Sequence, residues 1–251
     1  LETGLLSLHG EDEPFRVDAE ALRKLSTEKL GEVFQVSAVN PLLGLDNRTN
    51  LLNRLGSALL KKSEMFCRDG TSRPGNLFDY LSKKQVEGAV EARDILIALL
   101  HGIGHIWPDG EWLGDIPIGD VGHHSSLVRD DITNKIIPFH KLSQWMSYSL
   151  IEPLQLAGIK IIHLDALTGL AEYRNGGLFI DTGTISLRDK TEMETLHDPK
   201  SPLIVEWRAL TVTLLDLLAE QIRQHTNTNA ESMPLVSILQ GGTWSAGRRI
   251  A

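Results

Sequence analysis

Apolar residues recur at helical spacing in four long segments, and this periodicity limits the possible folds more than any other feature of the sequence. The segments cover residues 46–62, 86–102, 138–155 and 204–224. Apolar side chains three or four positions apart give a helix one face for burial. Strand-like segments are few and short. The sequence therefore predicts a mainly α fold, and we expect a single helical domain over residues 1–251.

Charge and composition restrict the class of protein. The formal net charge of −8 disfavours a protein that binds nucleic acid through its phosphate backbone. The single cysteine, Cys67, cannot form an internal disulfide, so nothing requires an oxidising compartment. No apolar run approaches the roughly 20 residues that cross a bilayer, and no signal-peptide pattern opens the chain. We therefore expect a cytoplasmic protein that binds neither nucleic acid nor membrane.

The segment from Pro138 to Gln155 predicts a helix with two unlike faces. Its apolar face is formed by Phe139, Leu142, Met146 and Leu150. The opposite face combines two aromatic rings with charged and amide groups, from Lys141, Gln144, Trp145, Tyr148 and Glu152. A solvated helix face is usually charged without Trp and Tyr, so this face is a candidate ligand-binding surface. The alternative is that the two aromatic rings belong to the core.

A second polar face follows in the next 20 residues. Asp165, Thr168 and Glu172 have the spacing i, i+3 and i+7, and Gly176-Gly177 predicts the end of a helix. We expect this face to meet the first one in a cavity, with Glu172 opposite Lys141. The alternative for this pair is an ion pair that only joins two helices.

Other candidate residues are more weakly indicated. Asp181 follows an apolar run and belongs to a site or caps a turn. Glu206 and Arg208 begin the last long helix, where a glutamate is also favoured by the helix dipole. His123 and His124 suggest a metal site, but no spaced set of further ligands surrounds them.

Longer motifs resemble those of the uracil catabolism protein 4 family. They cover nearly the whole chain, at residues 34–48, 73–81, 138–155, 167–183, 205–212 and 239–251. The resemblance implies a role in the breakdown of uracil through ribosylated urea compounds. Because the family domain extends further toward the N-terminus, we expect this chain to be its C-terminal portion.

Three shorter motifs are similar, in order and spacing, to the queuosine salvage family. They are F-H-K-L-S-Q (139–144), L-T-G-L-A-E-Y-R (167–174) and V-E-W-R-A (205–209). Proteins of this family hydrolyse the N-glycosidic bond of a nucleoside 5′-phosphate. The resemblance implies their helical scaffold, which is like that of the helix-hairpin-helix DNA glycosylases.

This second resemblance also implies roles for individual residues. Glu172 takes the place of the family's catalytic aspartate, and the remaining matches are Lys141, Gln144, Tyr173, Arg174, Glu206 and Arg208. The family's V-P-Q is replaced by Asn175-Gly176-Gly177. A longer carboxylate arm and a different pocket wall imply a different substrate.

Together these patterns predict a hydrolase that cleaves the C1′–N bond of a ribosyl compound such as ribosylurea or its 5′-phosphate. Glu172 would stabilise the cationic sugar, with Asp165 or Asp181 as a second carboxylate. A phosphate or the sugar hydroxyls would be held by Lys141 and either Arg174 or Arg208. The leaving-group side would be lined by Trp145 and Tyr148. The remaining predicted substrate-binding residues are Gln144, Tyr173 and Glu206.

This chemistry needs no metal or organic cofactor. The alternatives are a non-catalytic ligand-binding or regulatory protein and a metal-dependent hydrolase that uses His123 and His124.

Overall fold

Helices account for most of the secondary structure, as the apolar periodicity predicts, and the strands are short. The computed structural model describes residues 3–250. Its contacts divide the chain into two units, one of Leu1–Val90 with Ile97–Gly119 and the other of Glu91–Leu96 with Asp120–Ala251. Among the described residues, no helix combines the length and the apolar character needed to cross a membrane.

In the part that the structure describes, the first unit contains five α-helices before residue 90 and two short hairpins. The helices are α1 (Ala19–Arg23), α2 (Thr27–Val33), α3 (Leu45–Lys61), α4 (Ser63–Phe66) and α5 (Leu77–Ser82). The strands β1 (Cys67–Arg68) and β2 (Thr71–Ser72) pair antiparallel. Next along the chain come the strand β3 (Ala89–Glu91) and the helix α6 (Ala92–Ile103), of which Glu91–Leu96 belongs to the second unit. The antiparallel pair β4 (Glu111–Leu113) and β5 (Ile116–Gly119) is again part of the first unit.

The core of the first unit forms where α1 packs on α3. Gly56 allows this approach, because a Cβ atom there would lie 2.4 Å from the carbonyl oxygen of Ala19. Asn53 donates its side-chain amide to the carbonyls of Leu22 and Leu25, at 2.8 and 3.0 Å. These bonds join α3 to the carbonyl of Leu22 in α1 and to that of Leu25, two residues beyond the end of the helix.

The second unit is organised around two long helices. It contains β6 (Val121–His123), β7 (Ile136–Pro138), α7 (Lys141–Leu156), β8 (Lys160–Ile162), α8 (Tyr173–Asp181) and α9 (Pro202–Thr226). Two short helices end the chain, α10 (Leu235–Ile238) and α11 (Trp244–Ile250), with a π-helical turn at Leu239–Thr243 between them. The β6–β7 pair is antiparallel and sets Gly122 opposite Ile137.

Two apolar clusters hold the second unit together. The larger one packs α8 against α9 and α10, and its buried members are Leu170, Phe179, Leu215, Ala219, Leu235, Ile238 and Leu239. The smaller one joins Phe139, Ala171 and Val205. Gly122 lies so close to this smaller cluster that a larger residue would not fit. A Cβ atom at this position would be 2.8 Å from the side chain of Val205 and 2.9 Å from that of Phe139. Packing in this cluster positions the start of α7 through Phe139 and the chain just before Glu172 through Ala171.

Three local predictions from the sequence are wrong. The segment 86–102 begins with the strand β3, so its helix starts only at Ala92. The residues from Asp165 to Glu172 do not form a helix beyond a single 3-10 turn at Leu164–Ala166. Gly176-Gly177 lies inside α8 and does not end a helix.

The burial of α7 is also different from the prediction. Leu142, on the expected apolar face, is 43% exposed, whereas Ser143, Gln144 and Ser147 are buried. Hydrogen bonds satisfy part of this buried polar surface: Ser147 donates to the carbonyl of Ser143 at 2.9 Å, and Gln144 accepts from a backbone amide. Residue polarity therefore did not identify the buried side of this helix.

Candidate functional site

Glu172 lies at the N-cap position of α8, where its extended backbone turns into the helix. Its Oε2 accepts from the amide of Arg174 at 3.1 Å, and its Oε1 accepts from the amide of Asn175 at 2.9 Å. These two N–H groups belong to the first turn and have no partner inside the helix. The helix start therefore fixes the orientation of the Glu172 carboxylate.

A third donor reaches Glu172 from the C-terminal segment. The indole Nε1 of Trp244 donates to Oε1 at 2.7 Å. The neighbouring Thr243 donates its hydroxyl to Asn175 Oδ1 at 2.8 Å, and Asn175 in turn donates to the carbonyl of Leu170 at 3.1 Å. Two successive residues of the C-terminal segment are thus bonded to the start of α8. The π-helical turn before Trp244 is a form of helix often found at functional sites.

Trp244 forms one wall of a cavity together with Trp145 of α7. The two ring centroids are 4.6 Å apart and the planes are inclined at 57°. The cavity has a volume of about 360 Å³. Tyr148, Ser149, Glu152 and Gln240 supply its polar groups, and Leu170, Val236 and Leu239 its remaining apolar surface. A planar ligand group of moderate size suits such a lining.

Tyr148 and Gln144 also have structural partners. The Tyr148 hydroxyl donates to the carbonyl of Thr168 at 3.0 Å, and Gln144 Oε1 accepts from the amide of the same residue at 3.3 Å. Burial of the ring, and to a smaller extent the nearby Asp216 carboxylate, raise the pKa of Tyr148 above its usual value. Tyr148 therefore presents a neutral phenol to the cavity and anchors the segment that leads to Glu172.

Arg174 is a cation close to this cavity. Its guanidinium carbon lies 5.3 Å from the ring centroid of Tyr173 and 5.8 Å from that of Trp244. Within residues 3–250, no carboxylate forms an ion pair with Arg174. The guanidinium is therefore available to an anionic group of a ligand.

A second group of candidate residues surrounds Asp120. Arg208 Nη2 lies 2.8 Å from each Asp120 carboxylate oxygen, and the amide of Lys141 donates to Oδ2 at 3.0 Å. The Arg208 guanidinium is also 3.9 Å from the ring centroid of Phe139. The Asp120 carboxylate thus accepts a hydrogen bond from the first residue of α7 and also binds Arg208 of α9, so it links the start of α7 to α9.

His140 precedes α7 in a left-handed backbone conformation, with φ of 47°. Its Nδ1 is buried and has no hydrogen-bond partner within the described residues. Burial lowers the pKa of this imidazole, while the Asp120 carboxylate acts in the opposite direction. The fold therefore favours a neutral His140.

The remaining candidates lie apart from the cavity lining. Asp165 is exposed in its 3-10 turn, and Asp181 is the last residue of α8, about 13 Å along the helix axis from Glu172. Glu206 is close to His124, with 3.9 Å between Glu206 Oε2 and His124 Nε2. In residues 3–250, Lys141 forms no ion pair with Glu172, and no three His, Cys, Asp or Glu side chains are arranged to hold a metal ion.

Trp244 and Asp120 are residues of these sites that the sequence did not single out. Trp244 lies in the C-terminal motif at 239–251, which carried part of the family resemblance, but nothing local connects it to Glu172. Glu152 had been placed on the polar face of α7 without a role. Asp120 precedes the histidine pair and showed no pattern of its own.

Comparison with known proteins places the chain in a family. The chain is 37% identical to "Uracil catabolism protein 4" of Lachancea kluyveri over 275 residues, which cover 99% of the chain and 61% of that protein. It is also 37% identical to "Protein urg3" of Schizosaccharomyces pombe over 256 residues, covering 100% of the chain and 59% of that protein. The chain thus spans about three fifths of the length of these curated relatives. The model of a family described as "Protein of unknown function (DUF1688)" matches residues 1–251, and the chain belongs to the DUF1688 family.

Proposed function

We propose that the protein acts in uracil catabolism as a hydrolase that cleaves the N-glycosidic bond of a ribosyl compound, such as ribosylurea or its 5′-phosphate. The name of the Lachancea kluyveri relative supports the pathway. The resemblance of three sequence motifs to those of the queuosine salvage family supports the reaction class.

One observation carries the assignment of the site. The Trp244 indole that lines the cavity is bonded at 2.7 Å to the Glu172 carboxylate, which two backbone amides also hold. The Glu172 carboxylate is not itself in the cavity lining, but a single hydrogen bond joins it to a ring that forms the cavity wall. Enzymes that stabilise a developing cation use charges that are already oriented in this way.

The proposed reaction is a hydrolysis at the anomeric carbon. The C1′–N bond breaks, the nitrogen leaves with the bonding electron pair and takes up a proton, and a water oxygen bonds to C1′ as the water loses a proton. The sugar passes through an oxocarbenium-like state with positive charge at C1′. In our proposal Glu172 stabilises that charge, and the leaving group stacks on Trp145 and Trp244.

Among the proposed phosphate-binding residues, Arg174 has the most suitable surroundings. Arg208 is already bonded to Asp120, whereas Arg174 has no carboxylate partner among residues 3–250 and lies against the ring of Trp244. Replacement of Arg174 by Gln should therefore raise KM for the 5′-phosphate of ribosylurea more than KM for ribosylurea itself. Equal effects on both compounds would reject the phosphate role.

The assay is incubation of the protein with ribosylurea or its 5′-phosphate and measurement of released urea. Glu172→Gln should lower kcat by about 10²-fold or more, the usual effect of removing a charge that acts on the transition state. The matched control is Glu231→Gln, because the Glu231 side chain is exposed and is outside the cavity lining. Near-full turnover by a folded Glu172→Gln variant would remove Glu172 from the mechanism.

A second candidate function, a ligand-binding protein without turnover, is favoured by the capping bonds of Glu172. These bonds use both carboxylate oxygens for the structure of α8. Binding of ribosylurea without release of urea would support this candidate over the hydrolase.

A further inference from the structure

Glu152 is a carboxylate in the cavity for which the proposed reaction gives no role. It lies on α7 four residues after Tyr148 and seven after Trp145, so these three side chains share one side of the helix. Its side chain is exposed and makes no ion pair or hydrogen bond within residues 3–250. Glu172, by contrast, is bonded to three donors.

A second acceptor, one helical turn before Glu152, lacks the amide partner that is usual in a helix. The carbonyl of Ser149 would normally accept from the amide four residues later, but that residue is Pro153, which has no N–H. Ser149 also lines the cavity. Pro153 thus removes one backbone hydrogen bond of α7 directly after Glu152.

The rest of the lining limits the chemistry of a ligand. None of the cavity-lining residues found in the described part of the chain is Lys, Arg or His, and Arg174 lies outside the lining near Trp244. An anionic group bound beside Glu152 would therefore meet its carboxylate and no cation of the lining. The rings of Trp145, Tyr148 and Trp244 favour a flat group. A carboxylate binds best to two parallel N–H donors, which match its two oxygens.

We infer that this cavity binds a planar group with paired N–H donors, such as an amidine or a ureido group, and that Glu152 is its acceptor. This inference uses the cavity of the proposed function and defines the class of group that its leaving-group side accepts. Glu152 is then a specificity residue, and the stabilising charge remains that of Glu172.

Two small probes of similar size test the inference without any turnover. Phenylurea carries two parallel N–H donors on a planar group, and benzoate carries an anion on the same ring. Ligand-observed NMR titrations should show phenylurea binding to the protein at least tenfold more tightly than benzoate. Glu152→Gln should weaken phenylurea binding by about tenfold or more, because a charged acceptor is replaced by an amide. Glu231→Gln, which changes an exposed carboxylate outside the cavity, should leave both affinities unchanged.

Each result has a defined meaning. Equal binding of the two probes, or an unchanged phenylurea affinity in Glu152→Gln, would overturn the inference even if the protein releases urea from ribosylurea. Selective binding of phenylurea that depends on Glu152 would support the inference even if no ribosyl compound is hydrolysed. Because Glu152 is exposed and bonded to no other residue among those described, the variant should fold, and its circular dichroism spectrum checks this.

Discussion

Trp244 connects the cavity wall to the start of α8 through a single hydrogen bond. Its indole nitrogen is 2.7 Å from Glu172 Oε1, and a phenylalanine in its place would keep an aromatic ring but lose the donor. We expect Trp244→Phe to lower the free energy of unfolding by about 1.5–3 kcal/mol, the usual value for a hydrogen bond to a charged group. Urea unfolding followed by circular dichroism measures the change.

The other tryptophan of the pair provides the control. Trp145 is 41% exposed, and its indole nitrogen has no hydrogen-bond partner within residues 3–250. Trp145→Phe should therefore change the free energy of unfolding by less than about 1 kcal/mol. If the two variants lose the same stability, the Trp244–Glu172 bond does not hold the C-terminal segment in place.

At the scale of elements, the contact of α8 with α9 depends on one of two neighbouring glycines. A Cβ atom on Gly176 would lie 2.8 Å from both Trp207 and Thr211 of α9, and the Trp207 indole donates to the Gly176 carbonyl at 3.2 Å. A Cβ atom on Gly177 would have no atom within 4 Å. In the sequence this pair predicts a helix end, because glycine is common there, but in the structure Gly176 allows close packing inside α8.

This difference predicts opposite effects of the same substitution at adjacent positions. Gly176→Ala should lower the free energy of unfolding by about 1–3 kcal/mol, because α9 must shift away from α8. Gly177→Ala should raise it by about 0.4–1 kcal/mol, since alanine is the better helix former at a position with free space. Thermal and urea unfolding of the two variants measure both changes. Stabilisation by Gly176→Ala would contradict the close contact between the two helices.

At the scale of the whole molecule, burial of His140 makes the free energy of unfolding depend on pH. Burial lowers the pKa of His140 in the folded state, so the unfolded chain binds a proton at a higher pH than the folded one. The stability due to the neutral imidazole is thus fully present above the unfolded pKa of about 6.5. It falls as the pH drops from that value toward the lowered pKa of the folded protein.

His140→Asn tests this dependence while keeping a residue that tolerates the left-handed conformation. The unfolding free energy of the variant should fall less than that of the native protein between about pH 7 and pH 5, because asparagine does not titrate. Urea unfolding at a series of pH values gives both curves. His105 in the first unit also has a pKa lowered by burial, so its contribution remains in both proteins and cancels in the comparison. Parallel curves would show that His140 is not buried in its neutral form.

The spacing of apolar residues was enough to locate the long helices. It placed α3, α7 and α9 nearly at their observed bounds, because an amphipathic helix records its period locally in the chain. It also singled out Trp145 and Tyr148, which line the cavity, from the unusual mixture of rings and charges on one helix face. The roles proposed for Glu172, Lys141 and the other site residues stay predictions.

The contacts of these side chains depend on how distant segments pack in the folded chain. The partners of Glu172 are two backbone amides and an indole 72 residues away, and no periodic pattern records such a bond. Likewise, Asp120 caps α7 from 21 residues upstream while it binds Arg208 of α9. Helix formation depends on neighbours within one or two turns, so the amino-acid pattern was sufficient to predict the long helices α3, α7 and α9. The cavity depends on hydrogen bonds and packing between distant segments, whose pairing is set only when the chain closes on itself.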